Sequence, residues 1–118
     1  MSYTPSDAET IWDIVVAARG VLRYVQETDR TQFSGDEMRQ DAVIRRLEVI
    51  GEAARRLSDD FRSSHPEAPW RSIIGMRNAL IHLYDEVNLD EVWRVATEDV
   101  PRLIALLEPL LPEPGEDA

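Results

Sequence analysis

The stretch "RNALIHLY", residues 77–84, holds four side chains able to do chemistry within eight positions: Arg77, Asn78, His82 and Tyr84. A guanidinium recognises phosphate or carboxylate through paired hydrogen bonds. An imidazole is the side chain best suited to move a proton near neutral pH. An asparagine orients either of them. The surrounding letters are apolar, so the first question is where these groups stand on the element that carries them.

On a helix each residue turns about 100° from the last. Ile73, Ile74, Leu80, Ile81 and Tyr84 then fall within about 60° on either side of Arg77, and Met76 and Leu83 extend that arc. Arg77 is thereby expected in the middle of an apolar face, where an isolated charge is costly and requires an anionic partner or a ligand. Asn78 and His82, spaced i, i+4, point to the other side together. Gly75 and Ala79 lie beside them, which suits a surface that something approaches closely. Gly75 in mid-helix costs roughly 1 kcal/mol relative to alanine.

The same residues also read as a purely structural network. Arg77 would pair with Glu48 or Glu52, which flank the apolar stripe of an earlier helix. Asn78 would bond an adjacent loop, His82 would be a satisfied half-buried histidine, and Tyr84 would be a core aromatic with its hydroxyl at the edge. His65, in "SSHPEAP", reads as a loop residue. With two histidines and no cysteine in the chain, no metal-ligand set is expected.

The elements that must position these groups are helical, because period-3.6 spacing recurs and strand-like alternation is absent. "SDAE" reads as a capping box opening helix one at Ser6, with the stripe Ile11, Ile14, Val15, Ala18, Leu22 and Val25. "ETDRTQF" reads as a loop, and "SGDE" as a second box that uses Ser34 and Glu37. The next stripe is Val43, Leu47, Ile50, Ala54 and Leu57. "SDDFRSSHPEAP" reads as a short turn and a loop. Pro69 then suits the first turn of a helix from Trp70 to Tyr84. Asn88 caps the last helix, with the stripe Leu89, Val92, Trp93, Ala96, Val100, Leu103, Leu107 and Leu110, kinked or split by Pro101. The expected fold is all-α: a small up-down bundle of four main helices over residues 1–111, followed by a flexible acidic tail at 112–118.

Composition bounds the partners. The 118 residues amount to one domain, 43% of them apolar, with no run long enough to span a bilayer and no signal-peptide pattern. With no cysteine either, a cytoplasmic protein is expected, with no membrane contact. The net charge of −10 disfavours general nucleic-acid binding. All 13 basic residues are arginine, and the twins Arg45–Arg46 and Arg55–Arg56 form either ordinary surface charge or a local basic rim.

The segment "PWRSIIGMRNALIHLYDEVNLDEVWRVATEDVPRLIALLEPLL", Pro69 to Leu111, resembles the HepT-like toxins of the HEPN superfamily. Their Arg-x4-His-x-Tyr signature falls on Arg77, His82 and Tyr84, with Asn78 directly after the arginine. "LEVIGEAARRLS", Leu47 to Ser58, resembles that family's Gly-Glu-Ala helix, and "EDVPRL" its last helix. The resemblance implies a HEPN-like bundle and a metal-independent endoribonuclease without cofactor. It also implies a homodimer whose two Arg-His motifs face one cleft. Arg77 and His82 would be catalytic and Asn78 would orient the substrate or the histidine. The resemblance further implies the toxin of a type VII toxin–antitoxin pair, silenced when a minimal nucleotidyltransferase antitoxin transfers AMP to Tyr84. The alternative is a non-catalytic dimeric module that docks a nucleotidyltransferase or binds a nucleotide.

Overall fold

The structure is a computed structural model that describes residues 5–82 and 88–111. In the helix that ends at His82, side chains are described as far as Met76. Tyr84 and the tail 112–118 lie outside the described residues. The described part is an all-α bundle with no strand among the described residues.

Helix α1, Pro5–Gln26, buries Ile11, Ile14, Val15, Ala18, Val21 and Val25. It already contains Ser6, so Ser6 is not its cap. Proline is at home in a first turn, and the Ser6 carbonyl accepts a hydrogen bond from Thr10 Oγ1 at 2.9 Å. Asp7 is buried and reaches across the bundle instead. Its carboxylate accepts from the Ser58 amide at 2.9 Å and from Ser58 Oγ at 2.6 Å.

The expected loop "ETDRTQF" contains a helix, α2, Arg30–Ser34. Asp29 caps it, and Gln32 closes a capping box by returning its side chain to the Asp29 amide. The stabilising event is the burial of Phe33, which lies 5.2 Å from the Trp93 ring. Ser34 therefore ends α2 rather than opening the next helix. Asp36 caps α3, Glu37–Arg56, through a 3.0 Å bond from the Arg39 amide. The stripe Val43, Leu47, Ile50, Ala54 is buried as expected, and Leu57 at the C-cap with it.

Ser58 caps a further short helix, α4, Asp59–Ser64, where a short turn and then a loop were expected; here Phe61 is the buried anchor. Phe61 stacks on the His65 ring at 4.4 Å and meets Trp70 at 6.2 Å, and the indole Nε1 donates to the His65 carbonyl. His65 is thus a structural residue of the connection. These contacts keep the connection folded, so α5, Trp70–His82, starts beside the end of α3 and returns antiparallel along it.

Asn88 caps α6, Leu89–Arg94, by accepting from the Glu91 amide at 3.1 Å, as its sequence suggests. The break expected at Pro101 lies just upstream of it. Val95–Asp99 is a π-helical segment before α7, Val100–Leu107, and the Val100 amide bonds to the Val95 carbonyl five residues back. A proline cannot donate and its ring clashes with the carbonyl four residues earlier, so the extra residue of a π turn absorbs both problems. A 3₁₀ turn, Glu108–Leu110, ends the described chain. Helix α3 lies between α1 and α5, and α7 with the π segment closes the core from behind.

Candidate functional site

Arg77, Asn78 and His82 all lie on α5, and the described first half of that helix sets their register. Ile73 is 2% exposed and Met76 6%, whereas Ile74 is half-buried. The buried face is therefore centred between positions 73 and 76. Position 77 follows about 40° from Ile73 around the axis. The burial of Arg77 itself lies outside the described side chains.

Ser72 Oγ donates to Asp99 Oδ2 at 2.5 Å and accepts from Arg94 Nη2 at 3.0 Å. Arg94 also lies 3.2 Å from Asp99 and 2.6 Å from Glu91. The hydrogen bond from Arg94 holds the Glu91 carboxyl below the usual glutamate range. The Arg94 guanidinium is in turn pushed above its ordinary value, first by Glu91 and then by the charge of Asp99. Asp99 is 3% exposed, so this network pins the Ser72 side of α5 to the π segment. Helix α5 also packs along α3.

On α3, Arg46 packs over Tyr24 and against Gly20 of α1. Glu48 is partly buried beside Arg45, and Gly51 is buried. Glu48 has an ion pair with Arg45 at 3.6 Å. Glu52 sits one turn further, with Oε2 shielded from solvent. The two carboxylates expected near Arg77 are on the helix beside it; the Arg77 side chain lies outside the description.

The remaining face of α5 is open. Arg71 and Gly75 are exposed, and a Cβ built on Gly75 meets nothing within 4 Å. Positions 78 and 82 fall within about 60° of Gly75 around the axis. The stripe 71, 75, 78, 82 is therefore a continuous run, exposed where it is described. Among the described residues nothing requires a glycine at 75.

Beside this face, α1 and α3 enclose a groove of about 630 Å³. Trp12 and Val16 line it from α1, and Arg45, Val49, Glu52 and Arg56 from α3. Trp12 is 51% exposed and Val16 40%. Sequence reasoning passed over both residues. The signal was there: they stand i, i+4 from each other and off the buried stripe of α1, an apolar pair where a solvated face is expected.

Among the described residues no cluster of three or more histidine, aspartate or glutamate side chains is placed to hold a metal. No described helix is long and apolar enough to cross a membrane.

Residues 14–110 match the family described as "Ribonuclease HepT-like". A Methanocaldococcus jannaschii protein named "Putative RNase MJ1380" is 39% identical over 93 residues, covering 79% of this chain and 85% of that protein. "Probable ribonuclease HepT" of Thermococcus cleftensis is 38% identical over 105 residues, 89% of this chain and 96% of its own length. A second M. jannaschii protein with an RNase name is 33% identical over 108 residues, 91% of this chain and 89% of that protein. No solved structure matches the chain.

Proposed function

Because the chain belongs to the ribonuclease HepT-like family, we propose that it is a metal-independent endoribonuclease, with Arg77 and His82 as its catalytic pair and Asn78 orienting one of them. The observation that carries this reading is the open face of α5. Its exposed positions Arg71 and Gly75 run in line with positions 78 and 82 around the helix axis, which supports a substrate-facing side for the motif.

RNA carries its own nucleophile. His82 takes the proton of a 2′-hydroxyl, whose oxygen then attacks the adjacent phosphorus. The 5′-oxygen leaves with a proton, and the products are a 2′,3′-cyclic phosphate and a 5′-hydroxyl. Arg77 neutralises the charge that builds on the phosphoryl oxygens. One chain supplies one such histidine, whereas the reaction uses a base and an acid. A homodimer that brings two α5 faces together supplies both, with His82 of the partner subunit as the acid. The small residue at 75 suits that close approach.

Regulation follows from Tyr84. The protein acts as the toxin of a toxin–antitoxin pair, and a nucleotidyltransferase antitoxin transfers AMP to the Tyr84 hydroxyl. The added phosphate competes with RNA for arginine in the cleft.

The test is cleavage of a defined RNA by the purified protein in EDTA, alongside a His82→Ala variant. Cleavage with cyclic-phosphate ends, lost in the variant, is expected. Cleavage that survives in His82→Ala, or that EDTA abolishes, overturns the mechanism.

A further inference from the structure

We propose that the groove between α1 and α3 is a second contact site for single-stranded RNA, in which a base stacks on Trp12 while Arg45 and Arg56 hold the backbone. This rests on the ribonuclease reading and extends it from the scissile bond to the flanking strand.

Three observations carry it. The first is the aromatic. Trp12 is half-exposed at the groove wall with Val16 beside it, and the Arg19 guanidinium lies 5.9 Å from the indole centroid. Arg19 is tied in place by Glu108 at 3.0 Å, so the indole and the cation over it are braced together. Exposed aromatics among arginines are the usual platform for unpaired bases, because every base has a π-face.

The second is local charge. The protein is strongly acidic overall, whereas this groove is lined by Arg45, Arg46 and Arg56 against Asp13, Glu48 and Glu52 and is locally neutral. Arg45 is 74% exposed, and Arg56 is exposed on the same edge of α3. The acidic neighbours are largely withdrawn: Glu48 is paired with Arg45, and Glu52 Oε2 is shielded from water. Asp13 is the carboxylate left exposed on the α1 rim.

The third is proximity to the catalytic helix. Since α5 starts beside the end of α3 and runs antiparallel, equal helical rise sets position 82 roughly level with Arg45. Adjacent helix axes lie about 8–10 Å apart. The α3 wall of the groove, from Arg45 to Arg56, is thus one helix away from the helix that carries the motif.

The probe is a fluorescently labelled oligouridylate of about twelve nucleotides, bound to full-length protein carrying His82→Ala so that it stays intact. Oligonucleotide binding quenches tryptophan emission, and Trp12→Phe removes most of the quench. With the active protein, Trp12→Ala raises KM for the oligonucleotide about tenfold, in line with the loss of one stacking contact, while kcat changes by less than about twofold. Arg56→Gln lowers affinity uniformly across sequences and reduces the salt slope by about one. Affinity and quenching insensitive to Trp12 and Arg56 overturn the groove assignment even if the protein cleaves RNA. So does a Trp12→Ala variant that alters only the mass seen by light scattering, which makes the groove a protein contact. A Trp12-dependent quench in a protein that cuts no RNA leaves the groove standing and removes the ribonuclease reading instead.

Discussion

His82 and Tyr84 differ in what their removal does. Loss of a proton-transfer residue typically costs about 100- to 10,000-fold in rate. His82→Ala should lose cleavage by that margin, with its thermal unfolding midpoint close to that of the parent. Arg77 is the harder residue to interpret, because the helical spacing sets it among apolar residues and Arg77→Ala is expected to lower both activity and stability. Tyr84→Phe keeps the ring and loses only the hydroxyl. It should retain RNase activity and become insensitive to the nucleotidyltransferase. Intact-mass spectrometry after co-expression with that partner checks this: the parent gains a multiple of an AMP mass and Tyr84→Phe gains none.

At the scale of the element, α5 meets two constraints, the Ser72–Asp99–Arg94 network and the α3 seam. Gly75 on its open face serves neither. Gly75→Ala should therefore raise the stability of the isolated chain by up to about 1 kcal/mol, because alanine is the better helix former and its methyl meets no atom within 4 Å. Gly75→Leu should leave the fold intact and weaken dimerisation and cleavage together; light scattering and an RNase assay on the same sample check it. Asp99→Ala acts the other way. It removes the buried acceptor of the Ser72 hydroxyl and one of the two carboxylates beside Arg94, and a loss of about 1–3 kcal/mol in chemical denaturation is expected.

For the whole molecule, net charge and pH set the conditions of both folding and binding. Glu91 and Asp36 have carboxyls held below their ordinary range, Glu91 by Arg94 and Asp36 by the Arg39 amide and guanidinium. The unfolded chain binds their protons first as pH falls. Their contribution is thus complete above about pH 4.3, the unperturbed glutamate value, and is lost as pH drops through the folded-state values. Glu91→Gln should flatten the acid limb of a stability–pH curve. Both groups are largely exposed, so the effect is small and salt-sensitive. With a charge of −10, RNA affinity depends on a few placed arginines against general repulsion, and cleavage rates at low substrate should be highest at moderate ionic strength.

Periodicity, caps and family signature made the helical class, the stripes of α1, α3 and α6–α7, the Asn88 cap and the membership of the HepT-like family legible from the chain alone. These are local properties, carried by spacings of three and four residues, and local spacing survives folding unchanged. Helices α2 and α4 were not legible, because each is too short to show a period; each exists because one phenylalanine, Phe33 or Phe61, finds a pocket made by distant residues. The cap at Ser6 failed because Asp7 reached Ser58 across the bundle, and the cap at Ser34 failed because α2 claimed Ser34 and left the neighbouring Asp36 to cap α3 by a local bond from Arg39. The side of α5 that is buried, the seam it shares with α3 and the groove beside Trp12 depend on which helix lies next to which. Helix period fixes angles around one axis, and only the packing of several axes decides which of those angles meets water.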